Sequence, residues 1–223
     1  MLEEFFWEKR KELVNEMKTD GAVSSKKTEE AFLKVKRELF VPPCLEKEAY
    51  ENTALSIGFG QTISQPSTIA VMLEMLGVKP GEKVLEVGSG CGYVLALLSE
   101  LAGKKGKVFG VEAVKELFEI SKKNLKKQGC KKVEVACSDG SLGLPKAAPF
   151  DKIIVSAACP FLPKPLFDQL KEGGRAVAPI GDRGTQMIQA VSKKNGKPLK
   201  SDYLENYFVF VPLLGKEGFH NEF

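Results

Sequence analysis

The chain has 223 residues, of which 43% are hydrophobic and 28% are charged, a composition typical of soluble globular proteins. Its 33 lysines and arginines nearly balance 29 aspartates and glutamates, and the lysines are spread along helical stretches. This distribution favours a solvated surface over a nucleic-acid footprint. The single histidine, His220, excludes a histidine-based metal cluster and argues against Ser-His-Asp catalysis.

The N-terminal segment does not have the features of a signal peptide, because two acids precede its first base and no apolar core follows. No apolar run approaches the roughly 20 residues of a membrane-spanning helix. The five cysteines are odd in number and include no Cys-x-x-Cys pair, which argues against a disulfide framework or a structural zinc site. We therefore expect a cytoplasmic protein with reduced thiols and no metal.

Residues 1 to about 40 place apolar side chains at helical spacing and predict two amphipathic helices. The segment Thr19-Asp20-Gly21 predicts the turn between them. Thr28, followed by two acids, is expected to cap the second helix, and Pro42-Pro43 to end it. Residues 41–66 lose this periodicity, so we expect a long loop with a binding role. A third helix is predicted from Ser67 to Gly77.

After Lys79-Pro80-Gly81, short apolar segments alternate with amphipathic ones, which predicts parallel βαβ units with right-handed crossovers. The predicted strands are KVLEVG, KVFGVE, VEVACSD, DKIIVSA and RAVAPIG, and the predicted helices are YVLALLSELAG, ELFEISKKNLKKQG and KPLFDQLKEGG. MIQAVSKKNGKPL and NYFVFVPLL predict closing antiparallel strands with a hairpin turn at Asn195-Gly196. The expected fold is α/β: a Rossmann-like, doubly wound, mostly parallel sheet with antiparallel C-terminal strands and an N-terminal helical extension.

The first predicted strand ends in a glycine-rich turn, where a doubly wound sheet binds its ligand. Gly88 and Gly90 let the backbone approach a ligand, and Gly92 permits close packing of the next helix. The third glycine falls earlier than in the dinucleotide fingerprint. Glu86, just before the turn, is a poor neighbour for a pyrophosphate but could hold an ammonium group. The turn therefore favours S-adenosylmethionine over a dinucleotide.

Acids also end the next two predicted strands. Glu112 is placed to accept both hydroxyls of a ribose, although it could instead be an exposed acid at a helix start. Asp139, which precedes Gly140, is placed to accept from an adenine amine, or it belongs to an ordinary turn. Cys91 lies inside the glycine turn, and we interpret it as a small, half-buried filler rather than a reactive thiolate.

Several segments together resemble the protein-L-isoaspartate O-methyltransferase family. They are GQTISQP at 60–66, VLEVGSGCGY at 84–93, the Asp139-Gly140 pair, APFDKIIVSAA at 148–158, LPKPLFDQLKEGGRAVAPIG at 162–181 and FVPL at 210–213. The resemblance spans about residues 40–213, and GQTISQP and FVPL are its most specific parts. It implies an S-adenosylmethionine-dependent enzyme that methylates the free α-carboxylate of L-isoaspartyl residues in damaged proteins and peptides, which starts their repair.

The same resemblance assigns roles to individual positions. It implies that Ser64 is the active-site serine; capping the helix after Pro66 is the alternative for this side chain. Family members bind the cofactor through positions that correspond to Thr62, Ile63, Gln65, Pro66, Glu86, Gly88, Ser89, Gly90, Glu112, Asp139 and Gly140. The substrate peptide is expected to lie along Phe210, Val211, Pro212 and Leu213. Ser67 and Leu214 depart from the family pattern, so no contact is transferred to their side chains.

The expected chemistry fits a chain with one histidine. A carboxylate acceptor with a pKa of roughly 3.5 is ionised at neutral pH, so it needs no general base. Ser64 would then donate a hydrogen bond to the acceptor. Three alternatives remain from the sequence: another Rossmann-type methyltransferase, such as one acting on RNA, a non-catalytic cofactor-binding module, and a nicotinamide-dependent oxidoreductase.

The predicted organisation has two parts. Residues 1–77 form the helical extension and substrate loop, and residues 78–223 form the S-adenosylmethionine-binding core. We expect a monomer whose partners are isoaspartyl proteins and peptides, with neither nucleic acid nor membrane among them.

Overall fold

The computed structural model describes residues 2–204 and 206–219 of the chain, so His220 lies outside the described residues. The α-helices are α1 (Leu2–Thr19), α2 (Lys26–Lys34), α3 (Pro66–Leu76), α4 (Tyr93–Ala102), α5 (Lys115–Gln128) and α6 (Lys164–Asp168). The strands are β1 (Leu55–Gly58), β2 (Gln61–Ile63), β3 (Lys83–Val87), β4 (Lys107–Glu112), β5 (Val133–Cys137), β6 (Phe150–Val155), β7 (Leu170–Gly181), β8 (Gln186–Lys194) and β9 (Lys197–Tyr203). Among the described helices, none is long and apolar enough to cross a membrane.

The main sheet has seven strands in the order β5-β4-β3-β6-β7-β8-β9. Strands β3 to β7 pair in parallel, whereas β8 and β9 are antiparallel. The predicted fold class is therefore confirmed. Because β3 lies between β4 and β6, the winding of the chain reverses there, and a ligand crevice is expected at the carboxyl end of β3.

Both faces of the sheet are covered, and β3 shows this directly. Val84 packs into the cluster formed with α1 to α5, while Leu85 and Val87 pack on the opposite face with α6. Phe6 and Phe32 of the N-terminal helices belong to the same cluster as Val84. The helical extension thus shares one core with the sheet, and the division of the chain at residue 77 stays a prediction.

The second helix differs from its predicted bounds at both ends. Ser25, not Thr28, is the cap, because its hydroxyl accepts the Thr28 N–H at 3.2 Å. The helix ends at Lys34, well before Pro42-Pro43. The Gln128 side chain accepts the Lys36 N–H at 3.1 Å and donates to the Lys34 carbonyl at 3.3 Å, which satisfies backbone groups at this end. A short 3-10 helix, Arg37–Phe40, follows.

The predicted loop 41–66 is more ordered than its sequence suggests. It contains a 3-10 helix, Pro43–Glu48, and the separate β1–β2 hairpin, whose turn places Phe59 at φ 57°. These elements are too short to give a readable period. The helix after the loop begins at Pro66 and ends at Gly77, which has the left-handed conformation of a C-terminal cap.

In the C-terminal third of the chain, the structure differs from the predicted elements at two places and agrees with them at a third. The predicted helix KPLFDQLKEGG ends at Asp168, because the buried Gln169 side chain binds the backbone of Leu142 and Leu144, and LKEGG opens β7 instead. NYFVFVPLL is not a regular strand but an extended segment with isolated bridges to Gln186 and Ala158, since it crosses from β8 to the end of β6. The Asn195-Gly196 hairpin turn between β8 and β9 is confirmed.

Candidate active site

The glycine turn after β3 has the conformation that its glycines allow. Gly88, Gly90 and Gly92 all have positive φ angles, of 78°, 50° and 89°. A Cβ on Gly92 would lie 3.2 Å from the Ser121 Cβ and 3.3 Å from the Leu125 Cγ, so the predicted close packing of this glycine is confirmed. The turn therefore presents bare backbone at the switch point of the sheet.

Glu112 ends β4 beside this turn. Its side chain is buried and accepts the Gly90 N–H at 2.7 Å and the Val114 N–H at 2.9 Å. The alternative of an exposed acid is therefore excluded. Bonds to a charged acceptor are the strong class of hydrogen bond, so Glu112 fixes the glycine turn and still has free lone pairs.

Between the turn and the C-terminal segment lies a first cleft, which we call the glycine cleft. It is lined by Gln61, Thr62, Gly88, Gly90, Val111, Glu112, Ala113, Val114, Leu117, Gly140, Ser156, Ala157, Val211, Pro212, Leu213 and Leu214. A carboxylate among apolar side chains suits a ribose diol and an adenine base. A pyrophosphate would favour a lysine or arginine in the lining, and none of the described residues that line this cleft is a lysine or arginine. The residues present thus fit S-adenosylmethionine better than a dinucleotide.

Glu86 lies behind this cleft on β3 and is 1% exposed. The Ser156 hydroxyl donates to its Oε1 at 2.7 Å, whereas its buried Oε2 has no hydrogen-bond partner among the described residues. Burial raises the pKa of Glu86 to about 8; the bond from Ser156 opposes this rise and the charge of Glu112 adds to it. An unpaired buried carboxyl oxygen fits a site that receives a cationic group.

Asp139 has partners that its sequence position did not reveal. Its Oδ1 accepts from the Ser141 N–H at 2.9 Å and the Ser141 hydroxyl at 2.7 Å, and its Oδ2 accepts the Lys216 N–H at 2.9 Å. Burial raises the pKa of Asp139, but these hydrogen bonds outweigh it and the net shift is downward. Asp139 thus fastens the C-terminal segment, and Gly140 is the member of the pair that lines the glycine cleft.

A second cleft adjoins the first, and we call it the serine cleft. It is lined by Thr53, Ala54, Thr62, Ser64, Gln65, Thr68, Ser156, Tyr207, Phe208, Val209, Phe210 and Val211. Thr62, Ser156 and Val211 line both clefts, so the two spaces meet there. Gln65, not Ser64, is the N-terminal cap position of α3, and the Ser64 hydroxyl has no hydrogen-bond partner within the described ranges.

The structure distributes the predicted cofactor residues unevenly. Four of them line the glycine cleft, Thr62 lines both clefts and Gln65 lines only the serine cleft; the four are Gly88, Gly90, Glu112 and Gly140. The other five line neither cleft: Ile63, Pro66, Glu86 and Ser89 are buried, and Asp139 is half-buried. Of the predicted peptide segment, Phe210 and Val211 line the serine cleft, while Val211, Pro212 and Leu213 line the glycine cleft. The individual roles stay predictions.

Ser156 is a site residue that the sequence analysis missed. It follows β6 directly and lines both clefts. The signal was available in the strand order, because β6 is the neighbour of β3 at the switch point. Ser67, one of the departures from the family pattern, pairs instead with Asn52: its N–H donates to Oδ1 at 3.1 Å and its hydroxyl accepts from Nδ2 at 2.7 Å.

The reversal of winding at β3, the bare glycine turn and the cation-free cleft with its buried carboxylate define an S-adenosylmethionine-dependent methyltransferase. Residues 8–218 match the family described as protein-L-isoaspartate(D-aspartate) O-methyltransferase. The chain belongs to this family. Membership decides against a nicotinamide-dependent oxidoreductase, an RNA methyltransferase and a non-catalytic module.

Similar proteins support the same assignment over nearly the whole chain. Protein-L-isoaspartate O-methyltransferase 2 of Archaeoglobus fulgidus is 46% identical over 212 residues, which is 95% of this chain and 95% of that protein. The protein-L-isoaspartate O-methyltransferase of Hyperthermus butylicus is 44% identical over a match that covers 97% of this chain and 92% of that protein.

Solved structures agree on the fold. A protein-L-isoaspartate O-methyltransferase superposes with a TM-score of 0.82 and 33% identity over 93% of this chain, which spans 66% of that longer chain. A putative enzyme of the same name from Plasmodium falciparum, in complex with S-adenosyl-L-homocysteine, gives a TM-score of 0.81 at 28% identity, covering 92% and 98% of the two chains.

Proposed function

We propose that this methyltransferase acts on the free α-carboxylate of L-isoaspartyl residues in damaged proteins and peptides, with Ser64 as the hydrogen-bond donor to that carboxylate. One observation carries the proposal: among the residues that the structure describes, none with a carboxylate, imidazole, ammonium or guanidinium group lines the serine cleft. A hydroxyl or amine acceptor usually needs a base, whereas a carboxylate enters already ionised. The neutral cleft therefore suits a carboxylate acceptor.

S-adenosylmethionine supplies, when bound, a methyl group on a sulfonium centre. The bare backbone at Gly88 and Gly90 would admit the cofactor, and Glu112 would accept from the hydroxyls of its ribose. Glu86 would hold the ammonium group of its amino-acid part. Asp139 fastens the C-terminal segment, and Gly140 lines the part of the cleft that would receive the adenine.

The substrate peptide is bound by the extended segment 207–213. One edge of this segment is already paired, since Phe208 exchanges backbone bonds with Gln186 and the Phe210 N–H donates to the Gln186 side chain at 2.8 Å. The N–H groups of Val209 and Val211 have no backbone partner in the described part of the chain. The Val211 carbonyl and the Leu213 N–H of this second edge already bind Ala158, at 2.8 and 2.7 Å. An extended peptide can therefore add to this edge around Val209 and bring its carboxylate to Ser64.

The protein contributes to the reaction by aligning the methyl donor with the acceptor and by excluding water from between them. Thr62, Ser156 and Val211 line both clefts, so the methyl donor in one cleft and the acceptor in the other meet beside these residues. Holding two reactants in near-attack geometry can lower the activation free energy by about 7–11 kcal/mol. Ser64 is a donor in this scheme and forms no covalent bond with the substrate.

Paired peptides test the proposal. Two peptides identical except for an isoaspartyl or an aspartyl linkage are incubated with the enzyme and tritiated S-adenosylmethionine. We expect base-labile methyl label on the isoaspartyl peptide alone. Equal labelling of both peptides, or no labelling of either while the cofactor still binds, would overturn the assignment of the acceptor.

We also propose that the enzyme is a cytoplasmic monomer that acts on proteins and binds no nucleic acid. All five cysteines carry free thiols, which suits a reducing compartment. Sedimentation equilibrium with and without single-stranded RNA tests the stoichiometry and the nucleic-acid part: a single species of the monomer mass is expected in both cases. Cell fractionation tests the compartment, and recovery outside the cytosol would contradict it.

A further inference from the structure

Arg37 is the largest fully buried side chain outside the two clefts' linings, and it sits in the short 3-10 helix Arg37–Phe40. Burying a charge is unfavourable unless it is paired. Arg37 forms no ion pair with any carboxylate of the described residues, and its Nε and Nη1 atoms lack hydrogen-bond partners there. An ion pair therefore does not account for the arginine at this position.

The bonds that Arg37 does make lead to the serine cleft. Its Nη2 donates to the carbonyl oxygen of Ser64 at 3.0 Å, and to that of Thr53 at a longer 3.5 Å. Thr53 and Ser64 both line the serine cleft and lie on the two sides of the β1–β2 hairpin. One buried cation therefore joins the backbone at both ends of the hairpin.

The other face of Arg37 contacts the cofactor side of the molecule. Its guanidinium carbon lies 4.9 Å from the ring centroid of Tyr93, the first residue of α4, directly after the glycine turn. Such stacking gives a planar cation a fixed orientation. Through Arg37, the backbone of Ser64 is therefore held in position relative to α4, the helix that follows the glycine turn.

We propose that Arg37 is a positioning residue for methyl transfer: by binding the carbonyl oxygens of Ser64 and Thr53 while resting on Tyr93, it fixes the backbone that presents the Ser64 hydroxyl to the acceptor. This inference rests on the proposed function of Ser64. Arg37 itself lines neither cleft, so it acts on the reaction only through the backbone of Ser64 and Thr53.

The test uses Arg37→Met, which keeps the volume and removes the donors, and Arg37→Lys, which keeps one cationic donor. For the isoaspartyl peptide we expect kcat/KM to fall about 10- to 100-fold in Arg37→Met, mostly through kcat, with partial recovery in Arg37→Lys. The dissociation constant of S-adenosyl-L-homocysteine should change less than about threefold. Phe32→Leu is the matched control, because Phe32 packs on the same Tyr93 ring and its apolar side chain cannot donate a hydrogen bond to the Ser64 carbonyl. It should lower the melting temperature and leave kcat/KM per folded enzyme unchanged.

A double-mutant cycle with Ser64→Ala separates positioning from a structural role. If Arg37 acts through Ser64, Arg37→Met should lower kcat/KM by less than about threefold in the Ser64→Ala background. The inference would be overturned if the losses of kcat/KM from the two substitutions were fully additive. It would also be overturned if folded Arg37→Met had wild-type turnover, or if it lost cofactor binding and peptide binding in parallel. Failure of the wild-type enzyme to methylate the isoaspartyl peptide would instead refute the proposed function.

Discussion

The Ser156 hydroxyl donates a 2.7 Å hydrogen bond to Glu86 Oε1 and ties the end of β6 to a carboxyl group buried within β3. Ser156 lines both clefts, whereas Glu86 lies behind them and keeps a second, unpaired oxygen. The pair therefore connects the ligand sites to a group whose charge depends on pH.

Cofactor binding should release a proton near pH 7. Burial raises the pKa of Glu86 to about 8, so this carboxyl is mostly protonated in the free enzyme at pH 7. An ammonium group bound nearby favours the ionised form of Glu86, so cofactor binding expels the proton. As the pH rises above 8, the carboxyl is already ionised in the free enzyme and the proton release disappears. Calorimetry of S-adenosylmethionine binding in buffers of different ionisation enthalpy measures the released protons.

Glu86→Gln is the control for this release, because it has no ionisable group and similar volume. We expect the variant to bind more weakly, with no proton release attributable to this position. Identical proton release by the wild-type enzyme and Glu86→Gln would contradict the role of this carboxyl.

Ser64→Ala should impair catalysis and spare cofactor binding. A hydrogen bond to a charged acceptor contributes about 1.5–3 kcal/mol, which corresponds to a loss of roughly 10- to 150-fold in kcat/KM for the isoaspartyl peptide. The cofactor dissociation constant should stay the same, since Ser64 does not line the glycine cleft. Ser67→Ala is the control: Ser67 lies three positions further along the chain and is paired with Asn52, so this variant should retain turnover. Undiminished turnover by Ser64→Ala would remove Ser64 from the mechanism.

Gly92→Ala should destabilise the fold more than Gly129→Ala. Both glycines have left-handed conformations, with φ of 89° and 85°, so each substitution carries roughly 1–2 kcal/mol of backbone strain. A Cβ at Gly92 also crowds Ser121 and Leu125, which adds about 1–3 kcal/mol, while a Cβ at Gly129 has nothing within 4 Å. Urea denaturation gives the two free energies of unfolding. Equal losses would show that the crowding at Gly92 is relieved without cost.

Asp139→Asn should loosen the C-terminal segment. An amide cannot accept at both ends, so the bond from the Lys216 N–H or those from Ser141 must be lost, and hydrogen exchange at Lys216 and Glu217 should accelerate roughly 10- to 100-fold. Cofactor affinity should fall too, because Leu213 and Leu214 line the glycine cleft. Exchange at the wild-type rate would exclude the fastening role.

The acid dependence of this fastening follows from the lowered pKa of Asp139. The carboxylate stabilises the segment fully above the ordinary aspartate pKa of about 3.9, and the contribution is lost as the pH falls through the lowered value. Asp139→Asn should therefore show little of this loss, which hydrogen exchange at pH 5 and pH 3 compares directly.

The sequence is informative where local chemistry decides the structure. Short apolar strands, the glycine turn and the Asn-Gly hairpin each depend on neighbours in the chain, and the structure confirms them. The end of α2 and the length of α6 were predicted wrongly, because Gln128 and Gln169 end these helices through contacts with distant backbone. The N-terminal cap of α2 was also misplaced, since Ser25 and not Thr28 caps it.

At the active site, too, the sequence predicts the residues that local chemistry places and not the contacts between distant positions. Glu112 was found because an acid after a strand has a fixed place in a doubly wound sheet. The partner of Asp139 lies 77 positions away, and Arg37 meets Ser64 across 27 positions, separations at which no sequence period exists. Ser156 needed the strand order, which a single sequence does not contain.

Thr62, Ser156 and Val211 form a wall that both clefts share, and this sharing has an energetic consequence. A side chain that contacts two ligands cannot adjust to one without altering the surface offered to the other, so the affinities for cofactor and peptide are coupled. Such coupling is reciprocal: the factor by which the cofactor changes peptide affinity equals the factor by which the peptide changes cofactor affinity. Substitutions in this wall will change the cooperativity of the ternary complex as well as the two separate affinities.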